Sequence, residues 1–322
     1  MAEGSELPES MPVVALVGPT AVGKTDLALE LAERLGAEIV SMDSMQVYRF
    51  MDIGTAKPSL AERRRVRHHL IDVVDPDQPY HAAAFVTDAW EAMAAIRRRQ
   101  AWPLLVGGTG LYLRALSQGL FAMPALDERV RQELRDRLAG EGEARLHAEL
   151  AAVDPQAAAR IHPHDHQRLL RALEIHASTG RSWSEHLARQ GPAPAALRIL
   201  VLGLTRERRE LAERIQRRVA SMMEQGFVNE VENLLGMGYD AGLKSMQSIG
   251  YRHVLTYLGG VWSWEECLQR LATDTRRYAK RQLTWFRRQA ETVWHHPRDG
   301  EGIAQRISQF LAAPRSGTRA RG

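Results

Sequence analysis

The spacing of apolar positions changes several times along the chain, and each change predicts a new element. Val13 to Val17 is a short continuous apolar run, as expected of a strand buried on both faces. A glycine-bearing turn follows, and then Asp26 to Leu35, where Leu27, Leu31 and Leu35 recur at a helical period. Gly36 stops that helix, and Glu38 to Val40 is a second β-prone run. His68 to Pro76 reads as a further strand and turn, and Phe85 to Arg97 as an amphipathic helix with Phe85, Ala89 and Ile96 among its apolar positions. Pro103 to Val106 is another buried strand, running into a second glycine turn, Gly107 to Tyr112, that opens a helix. This alternation predicts an α/β fold, a parallel sheet flanked by helices.

The alternation lapses between Ala122 and Pro194. Helical spacing covers Asp127 to Leu138, Glu143 to Val153 and His166 to Thr179. Residues 122–194 therefore read as an inserted all-helical domain, joined through Gly119–Met123 and Gly191–Ala195, where glycine, proline and small residues mark linkers. The core is expected to comprise residues 12–121 and 195–296. Leu197 to Leu204 returns as a strand, Leu211 to Met223 as a helix stopped by Gly226, and Trp264 to about Ala290 as a last long helix. Residues 1–11 and 299–322 are expected to be disordered tails; the end, Pro314 to Gly322, is basic and rich in small residues.

Composition narrows the setting. With 322 residues and 44% hydrophobic content, the chain can form one large domain or two small ones. No run approaches the roughly eighteen apolar residues of a membrane span. The polar, acidic start lacks the apolar centre of a secretory signal. A single cysteine, Cys267, excludes a disulfide framework and a four-cysteine zinc site within one chain and suits a reducing cytoplasm. The net charge of +4 is a mild basic bias, so the placement of the cations matters more than their sum.

The chemistry concentrates in a few stretches. Gly18-Pro19-Thr20-Ala21-Val22-Gly23-Lys24-Thr25 fits G-x-x-x-x-G-K-[ST] and lies between a strand and a helix, the context a phosphate-binding loop requires. Backbone amides and the helix N-terminus suit phosphate oxygens, Lys24 adds a full charge, and the Thr25 hydroxyl can ligate Mg²⁺. The fold class is accordingly P-loop NTPase-like. Asp43 falls just past the second strand, at the sheet edge where ligands gather. Three roles are open to it: Mg²⁺ ligand, general base, or turn-forming residue. Gln46 offers an amide suited to pairing with adenine. Thr109 falls at the same edge, and its strand lacks the acidic end of an ordinary ATPase. Asp52 to Pro58 is a loop with hydroxyl and ammonium donors. His68 and His69 point to opposite faces, which argues against a shared metal. The alternating His162, His164 and His166 read as a polar loop, with Asp165 as a helix cap.

Two helices carry cations at spacings that suit an RNA surface. Arg168 and Arg171, in Gln167-Arg168-Leu169-Leu170-Arg171, share a helix face. In the last long helix, Arg276, Lys280 and Arg287 form one stripe and Arg277, Arg281 and Arg288 another, with Tyr278, Trp285 and Phe286 interleaved. Such a surface tracks nucleic-acid phosphates, or is simply buried aromatics beneath solvated cations.

Seven stretches, "GPTAVGKTDLA", "SMDSMQVYRFMDIGTAKP", "HHLIDVVDP", "VGGTGLYLRAL", "DHQRLLRALEI", "SIGYR" and "TRRYAKRQLTWFRR", occur in this order. Together, from about Val13 to Trp294, they resemble the bacterial tRNA dimethylallyltransferases. The resemblance implies transfer of a dimethylallyl group from dimethylallyl diphosphate to N6 of the adenosine just 3′ of the anticodon (position 37) in tRNAs reading codons that begin with U. Diphosphate is then a leaving group. The resemblance assigns Asp43 as base, residues 18–25 to the diphosphate with 20–25 meeting the prenyl donor, and Mg²⁺ to Thr25. Lys24, Thr25 and Arg218 then stabilise the leaving group, with Arg214 a weaker candidate than Arg218. It places Asp43, Ser44, Met45, Gln46, Thr109, Arg131, Gln167, Arg168, Leu169, Leu170, Arg171, Gly250, Tyr251, Arg252, Arg276, Arg277, Lys280 and Arg281 on the tRNA anticodon stem-loop, with the target base extruded. It implies a monomer with no membrane partner. Two other classes remain open at this point: a P-loop small-molecule or nucleoside kinase, and a nucleotide-gated RNA-binding module without chemistry.

Overall fold

The structure, a computed structural model, describes residues 11–119, 127–189 and 197–313. The chain divides into two compact units, residues 1–117 with 195–322, and residues 118–194. The first unit is built on six parallel strands among the described residues: β1 (Pro12–Val17), β2 (Ala37–Met42), β3 (His68–His69), β4 (Trp102–Gly107), β5 (Arg198–Leu204) and β6 (Val293–His295), in the order β3-β2-β4-β1-β5-β6. Every strand is parallel to its neighbour, so both faces must be covered by helices. The side chains of β1 divide accordingly. Val14 and Leu16 pack with Leu27 and Leu31 of α1 (Lys24–Leu35), and Val13, Ala15 and Val17 with Phe85, Ala89 and Ile96 of α3 (Ala82–Arg98). This two-sided burial is why β1 reads as an uninterrupted apolar run.

Further helices of this unit are α2 (Leu60–Arg65), α4 (Gly110–Gln118), α10 (Arg208–Glu224), α11 (Phe227–Gly236) and α12 (Tyr251–Leu258). Val47 and Met51, after β2, pack with Phe227 and Val231 of α11 and Tyr251 of α12. Helix α13 (Trp264–Arg287) is capped by Ser263 and Glu266 and buries Leu271, Ala279, Gln282 and Phe286. It ends three residues before the expected Ala290, and the short strand β6 follows it.

The expectation of a disordered tail over 299–322 is overturned for 299–313. Asp299 accepts from the Gly302 amide and starts α14 (Gly300–Ala312). Ile303, Ala304 and Ile307 are buried in the α1-side core, and the Arg34 guanidinium on α1 grips Glu301 at 2.5 and 2.8 Å. The apolar face is only a few residues wide and is flanked by polar ones, so composition hid it. Residues 314–322 and 1–10 lie outside the described residues.

The second unit is helical throughout its described residues: α5 (Glu128–Glu141), α6 (Glu143–Val153), α7 (Pro155–Ala158), α8 (His166–Thr179) and α9 (Trp183–Ala188). Leu134, Leu146, Leu150, Leu169 and Leu173 form its own core. The unit begins at 118 instead of the expected 122. Apart from Gly119, the expected joints at 119–123 and 191–195 lie outside the described residues. No helix among the described residues is long and apolar enough to cross a membrane.

Ile303→Ala should destabilise the first unit by about 2–4 kcal/mol, the usual cost of emptying a filled core site. Denaturant melts check this; a loss below about 0.5 kcal/mol would show that α14 is not docked.

Candidate active site

The strand register assembles the site. Val17 of β1, Gly107 of β4 and Met42 of β2 lie in one row across the sheet. The next residue on each strand is Gly18, Gly108 and Asp43, so the phosphate loop, the second glycine turn and the carboxylate leave the sheet side by side. Gly107 permits this crowding, since a Cβ there would lie 2.0 Å from the Met42 carbonyl oxygen. The Thr109 amide donates to the Met42 carbonyl at 3.3 Å, and the Thr109 hydroxyl accepts from the Ser44 amide at 3.2 Å. Of these residues Gly107, Asp43 and Ser44 line a cleft of about 440 Å³, together with Lys24, Thr25, Gln46, Arg214, Arg218 and Tyr278.

The cations of the cleft outnumber its carboxylates. The Lys24 ammonium donates to the loop's own carbonyls, Gly18 at 3.0 Å and Pro19 at 2.8 Å. Burial depresses its pKa to about 8, a fall that Asp43 opposes and Arg218 deepens. Burial also lowers Arg218, again opposed by Asp43 and deepened by Arg214. Arg214 and Arg218 stand one helical turn apart on α10, both facing the cleft. Cations held this close favour a multivalent anion, because it relieves both their desolvation and their mutual repulsion.

The loop is fixed from outside. Arg214 Nε donates to the Ala21 carbonyl and Arg206 Nε to the Val22 carbonyl, each at 2.7 Å. Ala21 has a φ of 63°, a left-handed conformation that costs a non-glycine residue about 1–2 kcal/mol, so these bonds hold a bend the residue would not adopt alone. Arg214 thus braces the loop. Arg218 instead couples electrostatically to Lys24 and Asp43.

Asp43 Oδ1 accepts from the Met45 amide at 2.8 Å and the Gln46 amide at 3.4 Å. The turn-forming role is therefore real, but it uses one oxygen and coexists with a place on the cleft wall. Asp43 also raises the pKa of Tyr112 and Tyr278, in each case after burial. The Gln46 amide is engaged within the protein: its oxygen accepts from the Ser41 hydroxyl at 3.0 Å, and its nitrogen donates to the Thr55 and Ala56 carbonyls at 3.4 and 3.3 Å. Reading a base with this amide requires exchanging those two long bonds.

Comparisons with known proteins give the family. A family model described as IPP transferase matches residues 46–289, and one described as isopentenyl transferase matches 11–75. The chain is 51% identical to a tRNA dimethylallyltransferase of Geobacter metallireducens over 94% of its own length and 98% of the relative's. The chain belongs to the IPP transferase family. Among solved structures it resembles the full-length tRNA isopentenylpyrophosphate transferase of Bacillus halodurans, with TM-score 0.69, 41% identity, and 93% and 96% of the two chains covered. It also resembles a eukaryotic dimethylallyltransferase caught acting on tRNA, with TM-score 0.77, 29% identity, and 97% and 82% covered.

The family's expected RNA-facing residues divide by exposure. Lys280, Arg277 and Arg281 are exposed on α13, and Arg276 is part-buried, donating to the Thr273 hydroxyl at 2.8 Å. Arg277 also meets Asp274 at 3.2 Å, as does Arg252 at 2.5 Å. Tyr251 is fully buried, and its hydroxyl donates to Glu230 at 2.6 Å; Gly250, at φ 102°, turns the chain into α12. These two residues build the wall and present no free polar surface. In the helical unit Gln167 and Arg168 are exposed, Leu170 is part-buried, and Leu169 is fully buried in the unit's core, so its side chain packs and does not reach a ligand. Arg131 and Arg171 both bind the buried Glu174, at 2.9 and 2.7 Å. Asp165 caps α8 as expected.

The histidine run gains a partner that spacing did not reveal. Glu143 binds both His164 and His166, the latter at 2.5 Å. Among the described residues this is the one group of three His, Cys, Asp or Glu side chains close enough to share a metal ion. Glu143 and His166 each open a helix, α6 and α8, whose positive ends favour the carboxylate and oppose a cation.

Sequence reading missed Arg206, Ser41, Glu230 and Gln282. The signal that would find them is not local: Arg206, Glu230 and Gln282 act on residues far away along the chain, and Ser41 matters only through the Gln46 side chain it engages.

Two outcomes follow from this geometry. At about pH 9 the free Lys24 is largely neutral, and a bound diphosphate raises its pKa. Binding should therefore take up a proton, and affinity should fall as pH rises through 8. Calorimetry in buffers of different ionisation heat reads that proton; Lys24→Met should abolish it, and identical uptake in the variant would exclude Lys24. In the helical unit, Arg168→Ala should leave thermal stability unchanged. Arg171→Ala should lower it by about 1–3 kcal/mol, since Glu174 is buried and loses a charged partner. Equal stability of the two variants would remove the distinction.

Proposed function

We propose that this protein transfers a dimethylallyl group from dimethylallyl diphosphate to N6 of the adenosine just 3′ of the anticodon in tRNA, releasing diphosphate. The observation that carries the reading is the pairing, in one cleft, of an anion loop with a carboxylate one residue beyond the adjoining strand row. A loop of this type with no acidic end on β4 is suited to holding a diphosphate while carbon is attacked. The tRNA dimethylallyltransferases and isopentenyltransferases named above support the substrates.

Each residue then has a task. The N6 lone pair forms the new bond to C1 of the dimethylallyl group as the C1–O bond breaks, and the bonding pair leaves with diphosphate. Asp43 takes the N6 proton, which keeps the nucleophile from becoming cationic as it reacts. Lys24, Arg218 and the loop amides stabilise the charge gathering on the departing oxygens. The Thr25 hydroxyl and the Asp43 carboxylate are hard oxygen donors lining the same cleft, a chemistry that fits Mg²⁺, and Thr25 is the residue we assign to it. When bound, Mg²⁺ would add positive charge against the diphosphate. Ser44 and Met45 line the cleft that the base would enter, and Thr109 holds the Ser44 amide behind them. Arg168 and Gln167 in the helical unit, and Arg277, Lys280 and Arg281 on α13, meet RNA phosphates, so affinity should fall with salt. We take the protein to act as a monomer in the cytoplasm.

The direct test supplies labelled dimethylallyl diphosphate and an anticodon hairpin, with products read by mass. One prenyl group should appear on one adenosine, with free diphosphate; transfer of a γ-phosphoryl group from ATP instead would overturn the reading. Asp43→Ala should lower kcat by about 10²–10⁴, the usual scale for a lost general base, with hairpin affinity nearly unchanged. A near-normal rate would remove Asp43 from the proton's path.

A further inference from the structure

Three successive residues of the anion loop are each tied to a side chain from elsewhere in the first unit. Arg214 holds Ala21 and Arg206 holds Val22. The third tie is different, because it comes from the basic helix. Gln282 of α13 is buried at 6% exposure. Its carboxamide oxygen accepts from the Thr20 amide at 2.8 Å, and its nitrogen donates to the Gly108 carbonyl at 3.0 Å. One planar group thus spans the loop after β1 and the turn after β4, and uses a different atom for each.

The surroundings are shaped to this bridge. A Cβ at position 108 would lie 2.1 Å from Gln282 Nε2, so the glycine is what lets the amide reach the carbonyl. One turn on, Trp285 fills the space over Gly110, where a Cβ would lie 2.0 Å from its ring. Helix α13 is therefore seated directly on the second glycine turn and hydrogen-bonded to the anion loop, while Arg277, Lys280 and Arg281 stay exposed. Polar atoms at both ends of a buried amide leave little tolerance. An ionised acid supplies no donor for Gly108, and a thioether supplies no donor and only a weak acceptor.

We propose that Gln282 is a positioning residue that sets the anion loop against the Gly108 turn, so that the helix carrying the RNA-facing cations also determines where the diphosphate lies. The proposal rests on the transfer reaction above for its catalytic consequence, but not for its effect on anion binding. Gln282 borders the cleft, but both ends of its amide are taken by Thr20 and Gly108, and the role assigned to it is exerted through them.

The test uses the full chain with Gln282→Glu and Gln282→Met, read in two ways. The first is equilibrium binding of inorganic diphosphate with no RNA present. At about pH 8 both variants should bind at least about fivefold more weakly than the parent, with hairpin affinity within about twofold. The second is prenyl transfer as a function of pH. Once protonated, the carboxyl that Gln282→Glu introduces regains a donor for Gly108 while its other oxygen accepts from Thr20. The activity of Gln282→Glu relative to the parent should therefore rise at least about fivefold from pH 8 to pH 5.5, and that of Gln282→Met should stay flat. Parent-like diphosphate binding in both variants, or a pH-independent ratio for Gln282→Glu, would overturn the proposal. Should either variant prove too unstable to assay, Gly108→Ala leaves Gln282 in place but displaces its amide, and must reproduce the diphosphate defect. A parent protein that binds diphosphate yet alkylates no RNA would refute the transfer reaction and leave the role of Gln282 standing.

Discussion

The cleft depends on where β4 enters the sheet. Because β4 lies between β1 and β2, the backbones of three strands end in one row, Val17, Gly107 and Met42, and the hydrogen bonds of a parallel sheet hold that row rigidly. Gly18, Gly108 and Asp43 leave it with little freedom to choose another spacing. A carboxylate and an anion loop would otherwise separate or neutralise one another through a shared cation. Here the sheet keeps both in the same cleft, with Lys24 hydrogen-bonded to its own loop in the free state.

The consequence of that proximity is a cluster of cations in a partly dry space. Burial lowers the pKa of Lys24 and Arg218, neighbouring cations deepen the fall, and Asp43 offsets part of it. A site assembled in this way is held open by its scaffold and relieved by its ligand. The brace is distributed: α10 supplies Arg214, the segment before it Arg206, and α13 Gln282, all directed at residues 20–22. The far wall is braced differently. Glu230 on α11 accepts from the amides of Asp52, Ile53 and Gly54 and from the Tyr251 hydroxyl, which fixes the loop whose carbonyls hold Gln46.

The helical unit uses charge for a separate purpose. Glu174 is buried between Arg131 and Arg171, so two of the cations expected on the RNA surface are committed within the unit: Arg131 ties α5 to α8, and Arg171 pairs with Glu174 one turn along α8 itself. Arg168, on the same helix as Arg171, remains exposed. The difference lies in which face of α8 meets the core, and Leu169, Ala172 and Leu173 settle it.

Much of the fold was legible along the chain. Continuous apolar runs marked β1 and β4 because each is covered on two faces, Gly36 and Gly226 marked helix ends, and Gly18 to Thr25 carried its meaning in its own spacing. Helices α6 and α8 stood at their expected limits. The three-residue strand β6 and the helix α14 escaped, since each has too few apolar positions to stand out from polar neighbours, and α14 gains its stability from α1. What the chain determined by itself was local: which segments bend, which bury one face, and which eight residues can hold a phosphate. What only the tertiary structure decided was long-range: that Gln282 meets Thr20, that Arg206 meets Val22, that Arg131 reaches Glu174, and that Glu230 holds the amides of Asp52, Ile53 and Gly54. Those pairings depend on packing between distant segments, and distance along a chain carries no record of proximity in space.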